Sequence, residues 1–331
     1  MTASTLPVGP AGPAALPAHG PSRTQRFLTL MRREWLQHRI GWWVLLLAPT
    51  VLLLVLALYD KGLIDVQIKR GDGTAVVGSM TQLPALAQVM LLNVGVTLAT
   101  VVLALLAIGF QMPGLARRDV QDRSIEFWRS LPTSHSQSIA ATLLVHLLLL
   151  PWLALAVGAL GSHLVGLVTV ISNHGLAAWL TLPWPSLLAG LAALVMRGAW
   201  GLLLALLWLS PLLLLTMAAS AWLKRWGLPV VAAAALAGVE WLDPRLPQAV
   251  VRPALERLLH EAVRAVQAVP SVEQVRLNGH DDVAEWLLGL PAWAARDAAS
   301  ALSALASPAF VAALAVAAAG FALLVWRRRV H

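Results

Sequence analysis

The sequence predicts an all-α polytopic membrane protein with six transmembrane segments, and three observations carry that expectation. Of its 331 residues, 59% are hydrophobic and only 12% are charged, against roughly 25% charged in soluble domains. Several apolar runs approach or exceed the about 20 residues that a helix needs to cross the hydrocarbon core. An open sheet is excluded from that core because its edge groups would find no hydrogen-bond partners there. The chain contains no cysteine, which excludes disulfides and thiolate metal sites and is compatible with either side of a membrane.

Residues 1–22 are rich in Pro, Gly and Ala and lack the basic-then-apolar order of a secretory signal, so they read as a flexible cytoplasmic tail. Residues 23–41 mix Phe27, Leu28, Leu30, Met31, Trp35 and Ile40 with arginines. Much of that apolar set shares one helical face, which predicts an interfacial elbow helix before the chain turns into the membrane. The six spans are expected at Trp42–Tyr59, Leu86–Phe110, Ile139–Val170, Leu187–Leu223, Gly227–Val239 and Pro308–Trp326. The third and fourth exceed one straight crossing, which implies tilt, extension or irregular ends. The fifth is short, and reads either as a re-entrant half-crossing or as a helix continuing through "EWL". Trp42, Trp43, Tyr59 and Trp326 fall near span ends, where amphipathic rings anchor a helix at headgroup level.

Charge sets the orientation. The segments before span one, between spans two and three, between spans four and five, and after span six together hold 14 Lys or Arg against 4 acidic residues. The opposite loops, 60–84 and 240–300, hold 9 basic and 12 acidic residues. The positive-inside rule therefore puts both termini in the cytoplasm.

Between spans two and three, Pro113 and Gly114 are expected to interrupt the helix, and "LARRDVQDRSIEFWRSL" resumes it until Pro132. Ser134 and Gln137 then have the spacing of a capping box opening span three. The pattern is a helix, a sharp stop and a capped restart, which would hold a short cytoplasmic knuckle between two spans. It reads either as a device that passes a partner's push into both helices or as an amphipathic loop resting on lipid.

The run "RRDVQDRSIEFWRSLPTSHSQSIAATLLV" resembles the region between spans two and three in permease subunits of ABC-2-type transporters. It is most similar to the proteobacterial branch carrying D-R-S-x-x-F-W-x-S-L-P, met here by Asp122, Arg123, Ser124, Phe127, Trp128, Ser130, Leu131 and Pro132. The "LMRREW" segment, "MAASAWLKRWGLPV" and the basic end after span six follow the same organisation, so the resemblance extends from about residue 25 to 331. It implies a permease half of an ATP-driven exporter in the cell inner membrane, working as two copies or beside a related half, with two cytoplasmic ABC ATPase subunits. Residues 122–131 would form the coupling helix. Phe127, Trp128 and Leu131 would be its apolar contacts and Asp122, Arg123, Glu126 and Arg129 its orienting charges. ATP and Mg belong to the ATPase partner on this reading.

The chain itself lacks a phosphate-binding loop of the form G-x-x-x-x-G-K-[ST]. "RGDGTAVVGSM" comes nearest, but Ser79 follows Gly78 where a lysine is needed, and the segment reads as an external turn. His146 and His163 lie about four helical turns apart, too far to share a metal ion on one helix. Asp281, Asp282 and Glu285 are explained by a helix start before "VAEWLLGL". No catalytic, metal or nucleic-acid site is expected.

Within the spans, Gln88, Asn93, His146 and Arg197 are candidate pathway or helix-packing residues, because polar groups in lipid need partners. Arg197 could meet an anionic part of a substrate, reach a headgroup, or form an internal pair. The apolar, small-residue-rich spans suit an amphiphilic cargo. Residues 240–306 read as an external helical segment: one helix over 252–269 with Pro253 near its start and an Arg257–Glu261 pair, and a second, short one after Asp282 anchored by Trp286, Leu287 and Trp293. It would cap the outward mouth, lie on the outer leaflet or bind an external accessory protein. The alternative from another class is a non-transport scaffold or sensor that docks a cytoplasmic regulator through the same knuckle.

Overall fold

The computed structural model describes residues 22–59, 65–69, 75–115, 134–267 and 280–330. It is a helical bundle in which five segments are long and apolar enough to cross a membrane: Arg23–Tyr59, Ala85–Leu115, His135–His174, Trp184–Arg245 and Pro308–Arg329. The polytopic all-α architecture thus stands, with one addition. Strands β1 (Asp65–Lys69) and β2 (Ala75–Ser79) form an antiparallel pair in the register Asp65↔Ser79. The segment read as a simple turn therefore contains a strand. Val76 and Val77 favour the pleated backbone.

Helix α1 runs unbroken from Arg23 to Tyr59. The expected elbow at 23–41 and the first span are one helix, because no Gly-Pro break separates them and Leu30, Glu34, Trp42 and Leu46 recur on one buried face. Helix α2 (Ala85–Leu115) likewise continues past Pro113, which was expected to stop it. So close to a helix end, Pro113 forfeits only the bond to the Gly109 carbonyl.

The third span is irregular inside rather than at its ends. Helix α3 (His135–Leu143) widens into a π-helical turn at Leu144–Leu149 and resumes as α4 (Leu150–His174). Pro151 has no N–H to return to the Leu147 carbonyl, and the widened turn directly precedes it. At the start of α3 the capping box is present: Ser134 Oγ accepts from Gln137 N at 3.3 Å, and Ser134 N donates to Gln137 Oε1 at 3.4 Å.

After a short helix α5 (Leu176–Leu180), α6 spans Trp184–Leu223. Lys224 has φ 55° and ψ −124°, a backbone conformation rare outside glycine, and the chain turns there into α7 (Gly227–Ala237). Any side chain on Gly227 would collide with the backbone of Ser220, so the two helices fold tightly against each other. Of the two readings of the fifth segment, the structure shows the continuing helix: α7 passes through Glu240, Trp241 and Leu242 in a π turn, and a 3-10 turn follows at Asp243–Arg245.

Beyond it lie α8 (Val251–Val266), α9 (His280–Leu305) and α10 (Pro308–Val330). Helix α9 is much longer than the short helix expected after Asp282, with Pro291 absorbed within it.

Contacts fix the relative directions. Along α1 and the shaft formed by α3, the π turn and α4, Trp42 meets His146 and Thr50 meets Gly161, so the two run parallel. Asn93 meets Ser162 and Gln88 meets His174, so α2 opposes α4. Down α6, Gly190 meets Leu287, Arg197 meets Asp297, Trp208 meets Phe310 and Trp222 meets Trp326. Helices α9 and α10 therefore lie in succession alongside α6, in the same direction. The start of α1, the start of α3 and the end of α10 share one end of the bundle, where Arg328 Nη1 donates to Ser138 Oγ at 3.1 Å.

The core divides by depth. Trp42, Leu46, Ala104, Ile108, Leu150 and Ala154 are buried in the half nearer that end. Leu86, Val89, Leu187, Leu287 and Leu290 fill the opposite half.

Candidate functional site

The expected coupling residues Asp122, Arg123, Glu126, Phe127, Trp128, Arg129 and Leu131 lie outside the described residues. Their frame is described. Helix α2 ends at Leu115, and the capped α3 begins at His135. The chain between them is therefore joined to two long shafts packed on each other.

Inside the bundle the four candidate polar residues take part in contacts at successive depths. Gln88 is fully buried. Its Nε2 lies 2.9 Å from the Met80 carbonyl, 3.0 Å from that of Leu83 and 2.7 Å from His174 Nε2. The amide has two protons for these positions, and His174 Nε2 also lies 3.1 Å from the Leu83 carbonyl, so the His174 tautomer sets which group donates. Asn173 Nδ2 donates to Gln88 Oε1 at 3.3 Å. This knot ties the turn before α2 to the end of α4.

One turn and a half deeper, Asn93 Nδ2 donates to the Val89 carbonyl at 2.8 Å, and its Oδ1 accepts from Ser162 Oγ at 2.6 Å. Gly158 of α4 allows the close approach to α2 that this bond requires, and Gly161 allows a similar approach to α1. A Cβ on Gly158 would sit 2.9 Å from Thr97 Cα, and one on Gly161 would collide with Thr50. Such small-residue contacts with an interhelical hydrogen bond are how helices associate where solvent offers no hydrophobic drive.

His146 sits in the π turn, fully buried. Its Nδ1 lies 3.0 Å from the Thr142 carbonyl, and its ring meets His38 and Trp42 edge-on, each at 6.1 Å between centroids. A cleft of about 430 Å³ opens beside this cluster, lined by Gln37, His38, Arg39, Trp42, Leu45 and Gln111 among others.

Arg197 is an internal pair and not a headgroup contact. Its Nε donates to Asp297 Oδ2 of α9 at 2.6 Å, with Nη2 2.5 Å from the same oxygen, and its Nη1 donates to the Ala265 carbonyl at the end of α8 at 3.0 Å. One guanidinium thus holds both α8 and α9 on α6. Gly190 and Gly201 lie on the same face of α6, and Leu287 and Ala265 occupy the notches they leave. A cavity of about 30 Å³ beside the pair is lined by Trp208, Glu261, Arg264 and Ser300, room for about one water.

Gly201→Ala is an expected loss of stability. The new methyl would collide with the Ala265 carbonyl and lie 2.8 Å from Arg197 Nη1. Forcing helices apart at a close contact costs about 1–3 kcal/mol, to be read as a lower thermal midpoint in detergent.

Two functional contacts had no counterpart in the sequence reading. Asp297, one hundred positions from Arg197, sits among alanines without a local pattern that names its partner. Asp243 accepts from the backbone N–H of Val250, Val251 and Arg252 at 2.9, 2.8 and 2.7 Å, closing the start of α8. An acidic residue followed by Pro244 and a helix a few residues on was a usable signal. The expected Arg257–Glu261 pair is replaced by Arg264 Nη1 at 4.0 Å from Glu261 Oε2.

Among the described residues no three His, Asp or Glu side chains gather as metal ligands. No family model, curated protein or solved structure matches the chain.

Proposed function

We propose that this chain is the membrane half of an ATP-driven exporter, energised by a separate ATPase. On this reading α6 and α7 count as two crossings, giving six, and two such halves make the complete route. Both chain ends face the cytoplasm of a cell whose inner membrane holds the protein. Two ATPase subunits carry ATP and Mg and dock on residues 122–131.

The observation that supports it most is the capped restart at Ser134. A reciprocal cap fixes where α3 begins, so displacement of the segment before it is passed into the helix and not absorbed by fraying. The α3–α4 shaft in turn touches α1, α2, α6 and α10. The π turn at Leu144–Leu149 supplies a place where that shaft can bend, since widened turns interrupt the regular bond ladder. The cargo is amphiphilic: interior polar groups such as Asn93 and Arg197 are tied to protein partners, and the helix surfaces are apolar.

The absence of native cysteine permits a direct test. A single cysteine at S130C, carrying a photo-crosslinker in native membranes, should capture an ATPase subunit, and one at S300C should not. Capture of a regulator without ATPase activity at S130C would favour the scaffold or sensor reading.

A further inference from the structure

We propose that the ends of α6 and α10 together form a binding surface for the phosphate headgroup of an anionic lipid. The two helices converge on an aromatic pair: Trp222 and Trp326 lie 5.4 Å apart between centroids at 46°. Arg327 lies over Trp222, its guanidinium carbon 4.7 Å from the ring centre, and its Nε donates to the Ala221 carbonyl at 3.5 Å. Stacking and that single bond hold the guanidinium in place while leaving its four Nη protons to other acceptors. Two residues beyond Trp222 the chain turns through Lys224 and Arg225, and Arg225 lies 5.8 Å from the centre of the Trp226 ring. Arg329 ends the same cluster.

Among the described residues, no carboxylate pairs with Lys224, Arg225, Arg327 or Arg329. Four cations from two distant parts of the sequence thus share one corner, and no carboxylate of the described residues neutralises them. Trp222, Trp226 and Trp326 remain 43%, 60% and 53% exposed. They stand where long apolar helices end, the level at which indole rings meet headgroups. Exposed indoles beside uncompensated guanidinium groups at that depth match a lipid phosphate with acyl chains running along the helices. Basic clusters adjoining a span attract anionic lipid by about 1 kcal/mol per cation, or about fivefold in affinity.

The test titrates the full-length protein in neutral detergent with labelled phosphatidylglycerol and, separately, labelled phosphatidylcholine. The wild type should prefer phosphatidylglycerol, lose that preference as salt rises, and be insensitive to inorganic phosphate at equal concentration. K224Q/R225Q/R327Q should weaken phosphatidylglycerol binding by about a hundredfold on the same per-cation figure, whereas the charge-matched R252Q/R257Q/R264Q on α8 should leave it unchanged. Equal binding of the two lipids by the wild type would overturn the proposal without reference to any variant. So would an equal loss in the α8 variant, or competition by free phosphate. A triple variant that keeps lipid affinity but loses a co-purifying soluble protein would assign the surface to protein docking instead.

Discussion

Asp297→Ala is expected to destabilise the protein by about 3 kcal/mol, the low end of what removing one partner of a buried ion pair costs. Arg197 retains only 4% of its side-chain exposure, so its charge cannot recover water when the carboxylate leaves. Asp297 is 31% exposed, which moderates the loss. Only the Ala265 carbonyl would remain to the guanidinium. R197M should cost less, because it removes the charge that needs compensation, and R197M/D297L should recover part of the loss by filling the space with apolar atoms. The order D297A, then R197M, then the double variant, measured by thermal unfolding in detergent, separates a buried pair from an exposed one. Equal small shifts in all three would mean that the pair lies in water. Because Arg197 also holds α8, the D297A change should loosen both α8 and α9 from α6 together.

F127A/W128A is expected to weaken docking of the proposed ATPase partner by about a thousandfold. Buried aromatic anchors cost about 2 kcal/mol or more each on truncation to alanine, and about 1.4 kcal/mol is a factor of ten. Membrane insertion and helix packing should be preserved. The flanking helices carry contacts of their own, including the Ser134–Gln137 cap and the Asn93–Ser162 bond. Changes at Arg123, Glu126 or Arg129 should act mainly on the association rate and its salt dependence, as rim charges do. Binding to the purified partner, with circular dichroism as the control for folding, distinguishes these effects.

The long apolar helices were legible because lipid imposes a length and an interior composition that few other contexts produce. The start of α3 was legible because a capping box is a local pattern, complete within four residues. The last helix was expected at Pro308–Trp326 and is found at Pro308–Val330, its basic residues extending it by one turn. What escaped the sequence reading is what depends on distant partners. Gln88 and Asn93 were recognised as polar groups in need of bonds, but Asn173, His174 and Ser162 could be named only once α2 lay against α4. Arg197 drew attention as a charge among leucines, while Asp297 resembled any surface acid. The π turn beside His146 was hidden because Pro151 can kink, end or widen a helix, and the neighbouring apolar residues are the same in each case. The length of α9 escaped because it rests on packing: Leu287 and Leu290 lie in the core against α6, and the helix runs on past Pro291 to Leu305.

The most direct measurement is a mild-detergent purification of the tagged chain from its native membrane, with co-purifying chains identified by mass spectrometry and ATP hydrolysis measured on the complex. The account predicts a stoichiometric ATPase and hydrolysis that both disappear with F127A/W128A. A stable complex containing no ATPase would contradict it.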